Sequence, residues 1–286
     1  MLNDLQDILH EIPELAGATI VLPLGGGITN RNYRVLVGND AYALRIAGDN
    51  TAQLGIDRDS EYACAAIAAA VGIGAEVVAY LPARRALLTR FVEGRVLSPM
   101  DATCNDILAR AARTLARLHE APAFPKEFSA FAIIEEYHRI AQAHEVPLPG
   151  SVRKILEGLD DLRGSVASTA VSCPCHNDLL PANLIDDGTN LRIIDWEYAG
   201  MGDRFFDLGN FAENHRLSAA QESEFLRNYA GAVQAEDLRR LRVMRKVSAL
   251  RETMWGFAQA GISRLEFDFP GYAQQNLERF LQADSD

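Results

Sequence analysis

Apolar and polar residues alternate in short runs along the first part of the chain, and glycine, asparagine or aspartate separates several of these runs. Alternation with a period of two predicts β-strands. We expect strands at residues 19–24, 32–37, 41–46, 76–80 and 85–91. Residues 56–71 instead have an alanine-rich helical pattern, which opens with acidic side chains that suit the positive end of a helix dipole. The pattern therefore predicts a small β-sheet unit with one main helix.

The pattern changes after the polar pair Glu93-Gly94, which we interpret as a hinge between two lobes. Helical spacing of apolar positions predicts helices at residues 102–119, 133–144 and 151–162, and over most of the chain from residue 204 onward. The exception is a segment where NLID and LRIID flank the turn sequence DDGTN, which predicts a β-hairpin. We predict one lobe at residues 1–92 and a larger, mostly helical lobe at residues 93–286.

Length, composition and charge exclude several classes of protein. A chain of 286 residues with 48% hydrophobic residues can bury a large core, so it is not a disordered protein. The formal net charge of -11 argues against DNA or RNA as a partner and mildly favours a small cation. Four scattered cysteines are too few for a disulfide framework, and no apolar run approaches the ~18 residues of a membrane span. We expect a cytoplasmic protein that is neither secreted nor inserted into a membrane.

The segment CHNDLLPAN places Asp178 and Asn183 in one loop, and Asp195 follows the predicted hairpin. If the turn is centred near Thr189, opposite residues have numbers that add up to about 378, which pairs Asn183 with Asp195 at roughly 5 Å between Cα atoms. Three side chains with oxygen atoms would then share one small volume. Such ligands suit a hard cation such as Mg²⁺. The order D-x-x-x-x-N, hairpin, Asp resembles the kinase arrangement, in which these residues act as base, metal ligand and metal ligand.

The first lobe has a glycine-rich run, GGGITN, between two predicted strands. Backbone amides without a Cβ can approach phosphates closely, and side chains of the run can add hydrogen-bond donors. The candidate phosphate-binding residues are Gly26, Gly27, Thr29 and Asn30. The run has neither the spacing of a P-loop nor the context of a dinucleotide-binding fold.

Two more features fit a nucleotide-binding lobe of the kinase type. A cation on the third strand should meet an acid on the following helix, and Arg45 and Glu61 occupy these places. Arginine replaces the usual lysine and still offers a charged, planar fork to phosphate. Adenine is expected at the hinge, against the backbone of Arg90, Phe91 and Val92.

Very few residues separate the DWEYAG run after the hairpin from FDLGN, so there is no room for the activation segment with which protein kinases hold a peptide. The substrate should be small. The segments GGGITNRNYRV, YALRI, IDRDSEY, TRFVEG, CHNDLLPAN, IIDWEYAG and FDLGN, in this order, resemble the choline/ethanolamine kinase family, within the aminoglycoside-phosphotransferase-like small-molecule kinases. The resemblance implies an α+β, two-lobed protein-kinase-like fold, with a small antiparallel sheet in the first lobe. It also implies ATP and Mg²⁺ as cofactors and a small cationic amino alcohol, choline first, as substrate.

The resemblance extends to a substrate pocket. WGFAQAGISRLEFDFPGY is similar to the family's substrate-lobe helices, and the matching pocket positions are Glu197, Trp255 and Tyr272. Ring faces and a carboxylate can stabilise a quaternary ammonium by cation–π and charge interactions. Met201 stands where a tyrosine is common, and Glu252 lies close to the position of a missing tryptophan. More acid and fewer rings weaken the preference for choline over ethanolamine.

Several alternatives stay open at this point. His176 and Asp207 are expected to hold the catalytic loop rather than to react. Cys173 and Cys175 could suggest zinc, but two cysteines lack the ligand count of a structural site. The substrate could instead be an aminoglycoside or a vitamin alcohol such as thiamine, or the protein could be a nucleotide-binding module without activity. The sequence predicts neither the oligomeric state nor a choice between ATP and GTP.

Overall fold

The N-terminal part of the computed structural model is a five-stranded antiparallel sheet with strand order β1-β2-β3-β5-β4. The structure describes residues 2–25, 30–48, 51–166 and 172–282. The strands are β1 (Ile20–Leu24), β2 (Asn30–Val37), β3 (Asp40–Ala47), β4 (Val77–Leu81) and β5 (Ala86–Arg90). The predicted α+β fold with an N-terminal antiparallel sheet is confirmed, and all five predicted strands form.

Local sequence explains the sheet and its first helix. Tyr42, Leu44 and Ile46 alternate along β3 and are buried, because successive side chains of a strand point to opposite faces. They form one apolar cluster with residues of α1 (Leu2–Glu11), such as Ile8. Gly38 has a φ of +59°, which closes the tight turn between β2 and β3 without strain.

Helix α2 (Arg58–Ala70) lies where the alanine-rich pattern predicts it. The side chain of Asp57 caps its N-terminus by accepting a hydrogen bond from the N–H of Asp59 at 3.2 Å. Its buried face joins the large apolar core of the C-terminal part, so α2 connects the sheet to the helices. The segment between β5 and the next strand contains the predicted lobe boundary at residues 92 and 93, which stays a prediction.

The rest of the chain is mostly helical. The helices are α3 (Asn105–His119), α4 (Ala130–Ala143), α5 (Gly150–Glu157), α6 (Leu159–Gly164), α7 (Arg204–Asn214), α8 (Ala219–Ala230), α9 (Ala235–Ile262) and α10 (Phe269–Gln282). The long helix α9 packs against α4, α7 and α10, and its middle is buried almost all round. The single helix expected at residues 151–162 is wrong, because the chain breaks at Gly158 into α5 and α6. None of the helices in the described ranges combines the length and the apolar character that crossing a membrane requires.

Short strands flank the segment that contains Asp178, Asn183 and Asp195. Strands β6 (Arg95–Val96), β8 (Leu184–Asp186) and β9 (Leu191–Ile193) form one small sheet, and β7 (Ser172–Cys175) pairs with β10 (Gly200–Asp203). The predicted hairpin is present as β8 and β9.

The predicted register of the hairpin is wrong by one residue. Leu184 pairs with Ile193, and the carbonyl of Asn183 accepts a hydrogen bond from the N–H of Ile194 at 3.0 Å. The cause is the turn. The N–H of Asp187 donates to the carbonyl of Asn190 at 3.1 Å, so the turn has two central residues. The numbers of two opposite residues therefore add up to an odd number. Asn183 therefore lies opposite Ile194 and not Asp195.

Candidate active site

The loop after β7 carries Asp178, and α7 holds its backbone in place. The N–H groups of His176 and Asn177 donate to the two carboxylate oxygens of Asp207 at 2.8 and 2.7 Å. One turn later on the same helix, the Asn210 side chain accepts a hydrogen bond from the N–H of Leu179 at 2.5 Å. These backbone groups are buried, and each of the three is satisfied by a side chain of α7.

His176 ties this loop to the segment that carries Asp195. Its Nε2 lies 3.0 Å from the carbonyl oxygen of Ile194, which can only accept, so Nε2 carries the proton. Its Nδ1 then accepts a hydrogen bond from the N–H of Asp178 at 3.2 Å. Burial lowers the pKa of His176, which favours this neutral form. The ring has the architectural position that the sequence suggests.

Asp178 is the carboxyl group of this loop, and it is buried. It is 8% exposed, and Nδ2 of Asn183 donates both to its carboxylate at 3.2 Å and to its backbone carbonyl at 2.9 Å. Burial raises the pKa of Asp178 to about 7, and Arg251 opposes this effect while the charges of Glu252 and Asp195 add to it. A carboxyl group with this pKa can accept a proton near neutral pH, as a general base must.

Side chains of α9 and α10 form a cluster that is joined to Asp178 through Arg251. Nη1 of Arg251 donates to Asp178 Oδ1 at 3.2 Å and to Glu252 Oε1 at 2.8 Å. The hydroxyl of Tyr272 donates to the other oxygen of Glu252 at 2.5 Å, and the ring of Trp255 meets that of Tyr272 edge-on at 5.4 Å between centroids. The structure therefore brings Trp255, Tyr272 and Glu252 together, next to the carboxylate of Asp178.

The N-terminal sheet supplies positive charge to the same region. Arg45 on β3 forms ion pairs with Glu61 of α2 and with Asp195. Asp195 has a φ of +68°, which takes it out of the strand geometry of β9. The structure thus places Arg45, Glu61 and Asp195 in one cluster, whose role in holding phosphate stays a prediction.

Glu197 lies next to Asn30 and Arg58. Asn30 donates a hydrogen bond to Glu197 Oε2 at 2.9 Å, and Arg58 forms an ion pair with the same oxygen at 3.1 Å. Burial raises the pKa of Glu197, and the charge of Asp195 adds to this, while Arg45 and Arg58 lower it. The structure brings Glu197 to Asn30, which the sequence assigns to phosphate, and its assignment to the substrate pocket stays a prediction.

The residues expected to bind the nucleotide lie in the glycine-rich run and at the hinge. Gly26, Gly27 and Thr29 lie outside the described residues. At the hinge, the N–H groups of Arg90 and Phe91 donate to carbonyls of Glu76 and Ala41, so they are not available to a ligand. Within the described ranges, no hydrogen bond engages the N–H of Val92. Adenine recognition at this backbone stays a prediction, with Val92 as its best-placed donor.

Two residues of the site were missed by sequence reasoning. Arg251 is 1% exposed and stacks over the ring of Tyr198 at 4.5 Å, and Arg58 joins Glu61, Glu197 and Asn30. A signal existed for each: the charged pair Arg251-Glu252 stands between the uncharged runs VSAL and TMWGFA, and Arg58 belongs to the DRDSEY segment. Charged side chains between two uncharged runs of a helix are expected to need partners when the helix is buried.

Comparisons with known proteins agree with this arrangement. The profile of the phosphotransferase enzyme family, APH, matches residues 20–244. Ethanolamine kinase 1 from Mus musculus is 28% identical over 301 residues, which cover 90% of this chain and 81% of that protein. The crystal structure of a choline/ethanolamine kinase family protein from Mesorhizobium loti has a TM-score of 0.85 at 30% identity, covering 99% of this chain and 94% of that one.

The structure of choline kinase LicA from Streptococcus pneumoniae has the same fold, with a TM-score of 0.83 at 21% identity over 97% of this chain and 98% of that one. A structure of LicA in complex with AMP has a TM-score of 0.76 at the same identity and coverage.

Proposed function

The chain belongs to the choline/ethanolamine kinase family of phosphotransferases, and we propose that its acceptor is a small amino alcohol, ethanolamine or choline. The γ-phosphoryl group of ATP would be transferred to the hydroxyl group of this acceptor. The AMP complex of LicA supports an adenine nucleotide as donor.

One observation carries the choice of acceptor. Asp178 Oδ1 and Glu252 Oε1 are hydrogen-bonded to the same Nη1 atom of Arg251, at 3.2 and 2.8 Å, so these two oxygens lie within 6.0 Å of each other. One carboxylate can take the proton of a hydroxyl group, while the other, beside the rings of Tyr272 and Trp255, can receive a cation. A molecule with a hydroxyl and an ammonium group on a short spacer fits this pair.

Asp178 would act as the base. Because its pKa is about 7, roughly half of the molecules hold it ionised at neutral pH, and an ionised carboxylate can orient and deprotonate the attacking hydroxyl. The hydrogen bonds from Asn183 and Arg251 fix the direction of the carboxylate. Phosphoryl transfer needs little more from the protein than this positioning and the neutralisation of phosphate charge.

Asn183 and Asp195 fit a magnesium ion by their donor chemistry. The amide nitrogen of Asn183 is committed to Asp178, which leaves its carbonyl oxygen as the ligand atom, and Asp195 adds a carboxylate. Mg²⁺ prefers such oxygens together with substrate phosphates, and when bound it neutralises the charge of the transferring group. Arg45, now paired with Asp195, would then turn to the phosphates.

Glu252 favours ethanolamine over choline. A primary ammonium can donate hydrogen bonds to its carboxylate, whereas a trimethylammonium cannot and depends on ring faces. The test is a coupled assay of ADP formation with ethanolamine, with choline and with no acceptor. We expect acceptor-dependent ADP formation and a higher kcat/KM for ethanolamine. ADP formation that neither amine stimulates would overturn the proposal.

The variant Glu252→Gln tests the reason for this preference. It keeps the shape of the side chain and removes the charge, so we expect the ratio of kcat/KM values to move toward choline by about tenfold, as for the loss of one charged hydrogen bond. An unchanged ratio, in a variant that still phosphorylates an amine, would show that Glu252 does not select the acceptor.

A further inference from the structure

Two cysteines and a histidine meet behind the catalytic loop. Cys173 and Cys175 lie on β7 with one residue between them, so both thiols project from the same face of the strand. Their sulfur atoms are 3.8 Å apart. His119, the last residue of α3, joins them, and the three ligand atoms all lie within 4.8 Å of one another. The two cysteines alone lack ligands for a metal, and the fold supplies a third from a distant part of the chain.

We propose that Cys173, Cys175 and His119 bind one soft divalent metal ion of the zinc type. Zinc binds thiolate sulfur at about 2.3 Å in tetrahedral geometry, which separates two sulfurs by about 3.8 Å. This is the separation that the thiols already have. Thiolate and imidazole ligands select ions of the zinc class over Mg²⁺, so the site is chemically distinct from the proposed magnesium ligands.

Burial and charge also suit such an ion. All three side chains are buried: Cys175 is fully buried, and Cys173 and His119 are 8% and 9% exposed. Two thiolates around a divalent cation carry no net charge, so the loaded site avoids the cost of an unpaired buried charge.

The site is connected to the loop that carries Asp178. The two ring nitrogens of His119 contact the hydroxyl of Tyr229 at 2.7 Å and the carboxylate of Asp207 at 3.2 Å. Asp207 in turn holds the backbone of the loop. A metal ion bound to one ring nitrogen of His119 replaces one of these two contacts. Metal binding at this site therefore affects the catalytic loop through the contact between His119 and Asp207.

The test uses Co²⁺ as a spectroscopic substitute for Zn²⁺, added to reduced, metal-stripped protein without nucleotide. We expect one equivalent of Co²⁺ to produce a thiolate-to-cobalt charge-transfer absorption with tetrahedral visible bands, and Zn²⁺ to displace it. Cobalt bound to oxygen ligands such as Asn183 and Asp195 gives no thiolate absorption, so the two sites are distinguishable. The outcome does not depend on the proposed substrate.

Variants assign the signal to its ligands. Cys173→Ser and Cys175→Ser should each abolish the charge-transfer absorption, and His119→Gln should weaken binding by at least about tenfold. Cys104→Ser is the matched control, because this cysteine is exposed and outside the cluster, and it should leave the signal unchanged. A wild-type protein without thiolate absorption, or a signal that survives both serine substitutions, overturns the proposal.

A measurement on the wild-type protein covers the case in which the serine variants do not fold. One equivalent of Zn²⁺ should slow the alkylation of Cys173 and Cys175 under mild denaturant, as followed by mass spectrometry of peptides, and should leave the alkylation of Cys104 unchanged. Equal alkylation rates of the pair with and without Zn²⁺ would contradict the site.

Discussion

The bridge formed by Arg251 offers the sharpest test of the proposed base. Its guanidinium is the cation that contacts Asp178 and Glu252 together, at 3.2 and 2.8 Å, in a position that is 1% exposed. In Arg251→Met, a side chain of similar length without charge, two buried carboxyl groups lose that partner. The ionised form of Asp178 becomes less favourable, so the pKa of Asp178 should rise further.

The size of the rise follows from the bond that is lost. A hydrogen bond to a charged group contributes about 1.5–3 kcal/mol, which corresponds to about 1–2 pKa units. The pKa of Asp178 should therefore move from about 7 to about 8–9, and the ionised fraction at pH 7 from one half to about one tenth or one hundredth. We expect kcat at pH 7 to fall about 5–50-fold and to recover as the pH is raised.

The assay is the pH profile of kcat and of kcat/KM with the preferred amine, between pH 5.5 and about 9.5, a span that brackets both pKa values. The acid limb of the variant should lie about 1–2 pH units above that of the wild type. Arg251→Lys keeps the positive charge on a side chain of different length and donor geometry, so its acid limb should lie between those of Arg251→Met and the wild type. Recovery at high pH separates a shifted pKa from misfolding. An acid limb at the same pH in Arg251→Met and wild type would refute the assignment of Asp178 as the titrating base.

Two further predictions concern stability. The pKa of Asp178 is raised from 3.8 to about 7 on folding, so its contribution to stability is present at low pH and lost as the pH rises toward 7. Asp178→Asn should therefore lack turnover. At pH 8 its free energy of unfolding, measured by urea denaturation, should exceed that of the wild type by a few kcal/mol, since one pKa unit corresponds to ~1.4 kcal/mol, and at pH 4 it should not. An equal difference at both pH values would contradict this. Gly209→Ala places a Cβ 2.6 Å from the carbonyl carbon of Met244 on α9, so it should lower the free energy of unfolding by about 1–3 kcal/mol. It should also lower kcat, because Gly209 lies between Asp207 and Asn210, the two residues whose side chains hold the loop. The control is Gly164→Ala on α6, where open space surrounds the new Cβ, and this variant should be neutral or stabilising. Equal losses of unfolding free energy in both variants would show that close packing of α7 on α9 is not the cause.

Features that depend on neighbouring residues could be predicted from the sequence. The alternation of apolar positions predicts β1 to β5, the alanine-rich pattern and the acidic cap predict α2, and the turn residues predict the hairpin β8–β9. The spacing within CHNDLLPAN likewise identified Asp178 and Asn183, which the structure joins by a hydrogen bond. These features are local because strand alternation, helix capping and turn chemistry act over a few residues.

The register of that hairpin could not be predicted, because a turn of two central residues shifts it by one position. Long-range packing also brings Arg251 to Asp178 across 73 positions, and His119 to Cys173 and Cys175. Neither contact follows from a short stretch of sequence. A buried charge or polar group needs a partner, but which distant residue supplies it depends on how helices and sheets pack, and packing is a property of the whole core rather than of any short segment.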